Sequence, residues 1–170
     1  MAEEIVNKVK QSKKLQTIDL QNFYDDTPIA ELDIKDFLFK ELMLKEEDYR
    51  QALEEHDWSQ YDGQYLAVYC SSDAILAPWA FMLVAAHAKG HAEEVFIDRP
   101  DSIRHELYRR RLDDYDWSQY EGKFVLLKGC SDVPVPESVY VLASQKLMPY
   151  VGRLMYGEAC SFVPVFRPGK

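Results

Sequence analysis

Asp57-Trp58-Ser59-Gln60-Tyr61 returns letter for letter as Asp116-Trp117-Ser118-Gln119-Tyr120, and the separation of 59 residues holds well beyond these pentapeptides. At that offset Tyr49-Arg50 falls on Tyr108-Arg109, Leu53 on Leu112, Gly63 on Gly122, Ser72-Asp73 on Ser131-Asp132 and Leu83 on Leu142, without a gap. The chain reads as an internal duplication with repeats at 44–98 and 103–157. A gapless offset means that the same elements recur in the same order, so whatever one copy forms the other should form too.

Within the first copy, Tyr49, Ala52 and Leu53 give 46–56 the spacing of an amphipathic helix. The polar turn around Trp58 follows, and then Tyr65-Leu66-Ala67-Val68-Tyr69, a short unbroken apolar run of the kind found in strands buried on both faces. After Cys70-Ser71-Ser72-Asp73 a second helix is expected over 79–89, with Pro78 near its first turn and Gly90 at its end. Its sequence is apolar nearly all round, which predicts deep burial. A strand at 94–98 closes the unit. The second copy repeats this order with a helix at 104–112, a strand at 124–128, the loop Gly129-Cys130-Ser131-Asp132, a helix at 137–148 and a strand at 153–156. Additional strands are expected at 15–20 and 29–32, a less regular segment at 36–43, and an edge strand at 162–166, where Pro164 interrupts the run. Helix, strand, helix, strand, twice over, predicts an α/β fold with one mostly parallel sheet and helices on both faces.

The chain has 170 residues, enough for a single domain over 1–170 that buries roughly 70% of the surface of its unfolded form. No apolar run approaches the ~20 residues of a bilayer span, so no membrane association is expected. Met1-Ala2-Glu3-Glu4-Ile5-Val6-Asn7-Lys8 mixes charges where a secretory signal requires a basic end and an apolar stretch, which points to the cytoplasm. The net charge of −9 opposes a nucleic-acid surface, since phosphate must be neutralised by clustered lysine and arginine. The basic runs, Lys8 to Lys14 and Arg109-Arg110-Arg111 with Asp113 and Asp114 just behind, read as solvated faces.

Loops leaving the C-terminal ends of parallel strands gather along one edge of a sheet. Cys70 and Cys130 follow the first strand of each copy, and Cys160 follows the last strand of the second, so all three cysteines are expected on that edge. If each copy winds outward from a shared centre, the two first strands are neighbours and Cys70, Asp73, Cys130 and Asp132 face a common cleft. Thiolates with nearby carboxylates form a candidate site for Zn or Fe, made of Cys70, Asp73, Cys130, Asp132 and Cys160. The spacing contains no Cys-x-x-Cys pair, and a free cysteine is equally at home as a small buried apolar group. A cysteine nucleophile is the weaker alternative, because neither loop carries a histidine, an arginine or a glycine run. Asp73 and Asp132 also suit local capping of the helices that follow. His87 and His91 stand four apart, but Gly90 lies between them, and they read as helix-end residues rather than a metal pair. The two tryptophans read as buried turns whose indole N–H groups need partners.

The motifs Cys70-Ser71-Ser72-Asp73-Ala74-Ile75, Gly129-Cys130-Ser131-Asp132-Val133-Pro134-Val135-Pro136-Glu137-Ser138 and Met155-Tyr156-Gly157-Glu158-Ala159-Cys160-Ser161-Phe162-Val163-Pro164, together with the Asp-Trp-Ser-Gln-Tyr repeats, resemble the bacterial domain-of-unknown-function family 2480. The resemblance runs from Glu4 to Val165 and carries no established activity; in the family pattern a proline commonly precedes the place of Pro78 by one residue. Members are often encoded near iron-sulfur cluster assembly genes, which implies a thiol or metal role. The expectation is therefore a cytoplasmic α/β protein with a cysteine-rich edge site that binds a metal ion or assists in iron-sulfur or sulfur handling. The alternative is a non-enzymatic protein-interaction module with structural cysteines and a protein partner. An enzymatic role and the oligomeric state are left open by the sequence.

Overall fold

The computed structural model describes residues 14–129 and 132–169. In chain order its elements are β1 (Leu15–Asp19), β2 (Ile29–Asp33), α1 (Glu46–Glu55), β3 (Tyr65–Tyr69), α2 (Pro78–Ala88), β4 (Glu94–Phe96), α3 (Pro100–Asp114), β5 (Phe124–Lys128), α4 (Glu137–Leu147), β6 (Arg153–Glu158) and β7 (Ser161–Phe166). Short 3-10 turns follow β1 and β2 and lie within both tryptophan motifs, and Phe39 and Met43 of the irregular segment form an isolated bridge. None of the helices is long and apolar enough to cross a membrane among the described residues.

The repeated pentapeptide makes the same turn in both places. Asp57 Oδ1 accepts from the Ser59 amide at 3.1 Å and its hydroxyl at 2.6 Å, and Asp116 does the same for Ser118 at 3.0 and 2.6 Å. The Trp58 indole N–H donates to the Leu53 carbonyl at 2.8 Å, and Trp117 to Leu112 at 2.7 Å. Each indole thereby satisfies a carbonyl left open at a helix C-terminus while its ring joins the core.

The strands fall into two sheets rather than one, in the orders β1-β5-β6-β7 and β2-β3-β4. All pairs are parallel except β6 with β7. The expected shared centre, with β3 beside β5, is corrected: β3 lies between β2 and β4, and β5 between β1 and β6, so neither has a free edge for the other. The chain divides accordingly into two compact units, one made of 26–104 and the other of 1–25 with 105–170, and each has its own core.

In the 26–104 unit, Tyr49 and Leu53 of α1 and Ala80, Val84 and Ala88 of α2 pack with Leu66 and Val68, which share one face of β3. In the other unit Tyr108 and Leu112 of α3 and Val139, Ala143 and Leu147 of α4 pack with Val125 and Leu127 of β5. Helices α1 and α2, and likewise α3 and α4, therefore lie on one face of their own sheet, not on both. The reason is handedness: strand orders that advance in one direction, 2-3-4 and 1-5-6, place successive right-handed crossovers on the same side.

Helix α2 departs from expectation. Pro78 opens it with its φ preset and no amide to satisfy, and Gly90, at φ 88°, turns the chain just past it. Only Ala80, Val84 and Ala88 are buried, however, while Met82, Ala85 and Ala86 on the opposite side are exposed. A helix lying on a two-layer unit has one covered face, so an all-round apolar sequence leaves the other uncovered.

Candidate functional site

The C-terminal edge of the β2-β3-β4 sheet is built from the ends of its strands. Asp33, the last residue of β2, accepts the Lys35 amide at 3.0 Å, closing the turn after the strand, and the Ser71 amide at 3.0 Å, tying down the loop after β3. Partial burial opposes ionisation of Asp33, but the hydrogen bonds from Ser71 and Lys35 outweigh it and hold the carboxyl below its ordinary range. Beside it, the Tyr69 hydroxyl donates to Glu31 Oε2 at 2.8 Å, and the Arg99 guanidinium lies 3.5 Å from the centre of the Tyr69 ring. The Glu31 hydrogen bond, with some burial, pushes the Tyr69 phenol above its usual range.

Of these groups Tyr69 lines a cavity of about 390 Å³, together with Cys70, Ser72, Phe81, Ile97 and Asp98 among others. The Cys70 sulfur is half-buried against the core of its unit and 3.3 Å from the Ser72 hydroxyl. No imidazole lines this cavity among the described residues. The nearby Tyr49 phenol is pushed up to about 12, chiefly by burial and then by Cys70, and donates to the Ala80 carbonyl at 3.0 Å. It is a structural donor near neutral pH.

The second unit holds a corresponding cavity of about 560 Å³, lined among others by Leu127, Tyr140, Val141, Met155, Tyr156 and Val165. Leu127, Tyr140 and Tyr156 stand at the 59-residue offset from Val68, Phe81 and Ile97 of the first cavity. Same-offset comparison also corrects the match between the cysteine loops. Cys70 corresponds to Gly129, and Cys130 corresponds to Ser71. The structure supplies a physical reason for the first substitution. A Cβ at Gly129 would collide with the Tyr140 hydroxyl, whereas Phe81, the counterpart of Tyr140, has no hydroxyl and leaves room for the Cys70 side chain. The two cavities thus hold alternative fillings of one position: glycine with tyrosine, or cysteine with phenylalanine.

The proposed ligand set is distributed between the units. Cys70 and Asp73 belong to the loop after β3 in the 26–104 unit, and Asp132 and Cys160 belong to the other, where Cys160 is exposed in the β6–β7 hairpin. Cys130 lies outside the described residues. Among the described residues no group of three or more histidine, cysteine, aspartate or glutamate side chains is placed to hold a metal ion. Neither aspartate is the N-cap residue of its helix: α2 starts after Ala77 and α4 after Pro136, and neither of these makes a side-chain cap. Pro78 removes one donor that a cap would have served. His87 stacks on Trp58 at 5.6 Å, and His91 pairs with Asp62 at 2.8 Å, so the two histidines have separate partners.

Asp33, Glu31 and Arg99 were not legible as site residues. A signal exists for Asp33: Asp19-Leu20 followed by Phe23 and Asp33-Ile34 followed by Phe37 share one frame, and Asp19 closes the turn after β1 by accepting the Gln21 amide at 3.2 Å. In that unit Lys128, the counterpart of Tyr69, bridges Asp19 at 3.7 Å and Glu158 at 2.9 Å.

The family model described as protein of unknown function (DUF2480) matches residues 3–168, and the chain belongs to that family. No curated protein and no solved structure matches it.

Proposed function

We propose that this member of a family of unknown function is a non-enzymatic protein-interaction module of the cytoplasm, built by duplication of a helix-strand-helix-strand unit, with Cys70 in a structural role. The observation that carries the reading is the paired exposure of large apolar side chains at matched positions. Met82 and Val141 are 68% and 57% exposed, and Ile97 and Tyr156 are 55% and 51% exposed, at or beside the two corresponding cavities. A surface serving only solubility has no need of the same apolar pair twice, and rimmed apolar patches are where protein partners bind. The filling of the Cys70 position by a packing exchange with Phe81 supports a structural thiol. The constant offset and the identical tryptophan turns support duplication, and free thiols at Cys70 and Cys160 suit a reducing compartment.

The test is chemical cross-linking in cells of the full chain against a variant carrying Met82→Gln, Ile97→Gln, Val141→Gln and Tyr156→Gln, alongside elemental analysis of protein purified without air. A discrete cross-linked partner that the folded variant loses supports the module. Stoichiometric Zn or Fe that Cys130→Ser removes would overturn it and put the metal site of Cys70, Asp73, Cys130, Asp132 and Cys160 in its place.

A further inference from the structure

The duplicated architecture contains its own control. Both α2 and α4 bury three residues at matching places, Ala80, Val84 and Ala88 in one and Val139, Ala143 and Leu147 in the other. Some of their other positions differ in kind. Where α4 has Ser138, Ser144 and Gln145, α2 has Trp79, Ala85 and Ala86. Trp79 packs in part on Tyr49 and the core of its unit, but Ala85 and Ala86 are exposed, and packing within the unit does not call for apolar residues at those two places. With Ile75 almost fully exposed before the helix and Met82 at its middle, the strip from 74 to 86 carries no charged side chain.

The neighbouring helices differ in the same way. Helix α1 carries five carboxylates, Glu46, Glu47, Asp48, Glu54 and Glu55, against Arg50 alone, and all six are exposed. Its counterpart α3 carries four carboxylates against four arginines and ties several of them together, Glu106 to Arg109 at 2.8 Å and to Arg110 at 3.0 Å, and Asp113 to Arg109 at 2.8 Å. Helix α1 lies directly beside α2: Tyr49 donates to the Ala80 carbonyl at 3.0 Å, and Arg50, held by Glu46 at 2.9 Å, stands 5.9 Å from the centre of the Trp79 ring. On the other flank, Asp98 lines the cavity with Phe81 and Ile97. One copy therefore has a polar helix beside a balanced one, and the other an apolar helix edged with carboxylates.

Resting on the interaction-module reading, we infer that the outer face of α2, with the carboxylates of α1 and Asp98 at its margins, docks a basic amphipathic helix of a partner protein. Charge complementarity selects this occupant. Lysine or arginine flanking an apolar stripe pairs with the margins, whereas a second copy of a chain with net charge −9 brings its own carboxylates against them. The small Ala85 and Ala86 let an approaching helix come within the roughly 8–10 Å of ordinary helix packing, and Met82 adapts its shape to the partner.

The test uses labelled model peptides of about four helical turns: a leucine-lysine amphipathic helix, a leucine-glutamate helix with the same apolar face, and a scrambled leucine-lysine sequence. Binding to the full chain is read by anisotropy and by the fluorescence of Trp79, the tryptophan whose ring is not buried. The leucine-lysine helix is expected to bind, the leucine-glutamate and scrambled peptides not. Grafting the α4 face onto α2, as Ala85→Ser with Ala86→Gln, or reversing charge by Glu47→Lys with Glu54→Lys, should weaken binding by about tenfold or more. Ser138→Ala on α4 should leave it unchanged, and circular dichroism should show every variant folded. Equal binding of the leucine-glutamate helix, indifference to the graft, equal loss on Ser138→Ala, or a wild-type dimer that the graft dissociates each overturns the inference. If peptide binding fails while the cross-linked partner of the previous test persists, the docking face is wrong and the module stands; loss of both, with metal found, removes both.

Discussion

The exchange between Gly129 with Tyr140 and Cys70 with Phe81 predicts a measurable coupling. Replacing Gly129 by Ala places a methyl on the Tyr140 hydroxyl, 3.1 Å from the Tyr140 Cζ and 3.3 Å from Val135 Cγ2. Overfilling of this sort costs about 1–3 kcal/mol. The backbone there needs no positive φ, so alanine would otherwise stabilise by about 0.4–1 kcal/mol through the unfolded chain. The clash is the larger effect, and G129A should destabilise by about 1–2 kcal/mol. Tyr140→Phe removes the colliding oxygen and leaves only the two tighter-than-usual contacts, which a small side-chain shift relieves. In a double-mutant cycle measured by urea unfolding, G129A/Y140F should recover about 1 kcal/mol or more relative to the sum of the single changes. The mirror experiment, Phe81→Tyr with and without Cys70→Gly, should show the same sign. A neutral G129A, or additive single changes, would refute the claim that these positions are alternative fillings of one space.

Removing either indole N–H, by Trp58→Phe or Trp117→Phe, should cost about 1–3 kcal/mol by leaving a helix-end carbonyl unsatisfied; thermal unfolding should show similar losses in the two, since their bonds to Leu53 and Leu112 are alike. Burial holds the His56 imidazole below its ordinary 6.5, against the smaller upward pull of Asp57. Because folding lowers this pKa, protonation favours the unfolded chain: the stability His56 contributes is present above about 6.5 and is lost as pH falls through the folded-state value, a slope that His56→Phe should flatten in denaturation series across that window. Peptide-resolved alkylation should label exposed Cys160 about tenfold faster than half-buried Cys70; equal rates would contradict the packing assigned to Cys70.

The sequence by itself determined what is local or repeated. The 59-residue offset assigned equivalent elements, and the turn chemistry of Asp57 and Asp116 is a property of a few adjacent side chains that the structure reproduces in both places. The strands Tyr65–Tyr69 and Phe124–Lys128 lie where their apolar runs predicted. Strand partnership was different, because it depends on which distant edge is free. The short strands β1 and β2, modest in sequence, occupy one side of β5 and β3 and so turn one expected sheet into two. Side-chain burial was likewise not a matter of composition. An apolar helix is buried only as far as its layer covers it, and the one-directional strand order put α2 on the outside of a two-layer unit with Met82, Ala85 and Ala86 facing out. The cysteine site was legible as residue types at strand ends, but whether such residues converge is a three-dimensional question. Tertiary structure put Cys70 after β3 in one unit and Cys160 in the β6–β7 hairpin of the other, since strand pairing, not the spacing of residues along the chain, decides which strands share a sheet.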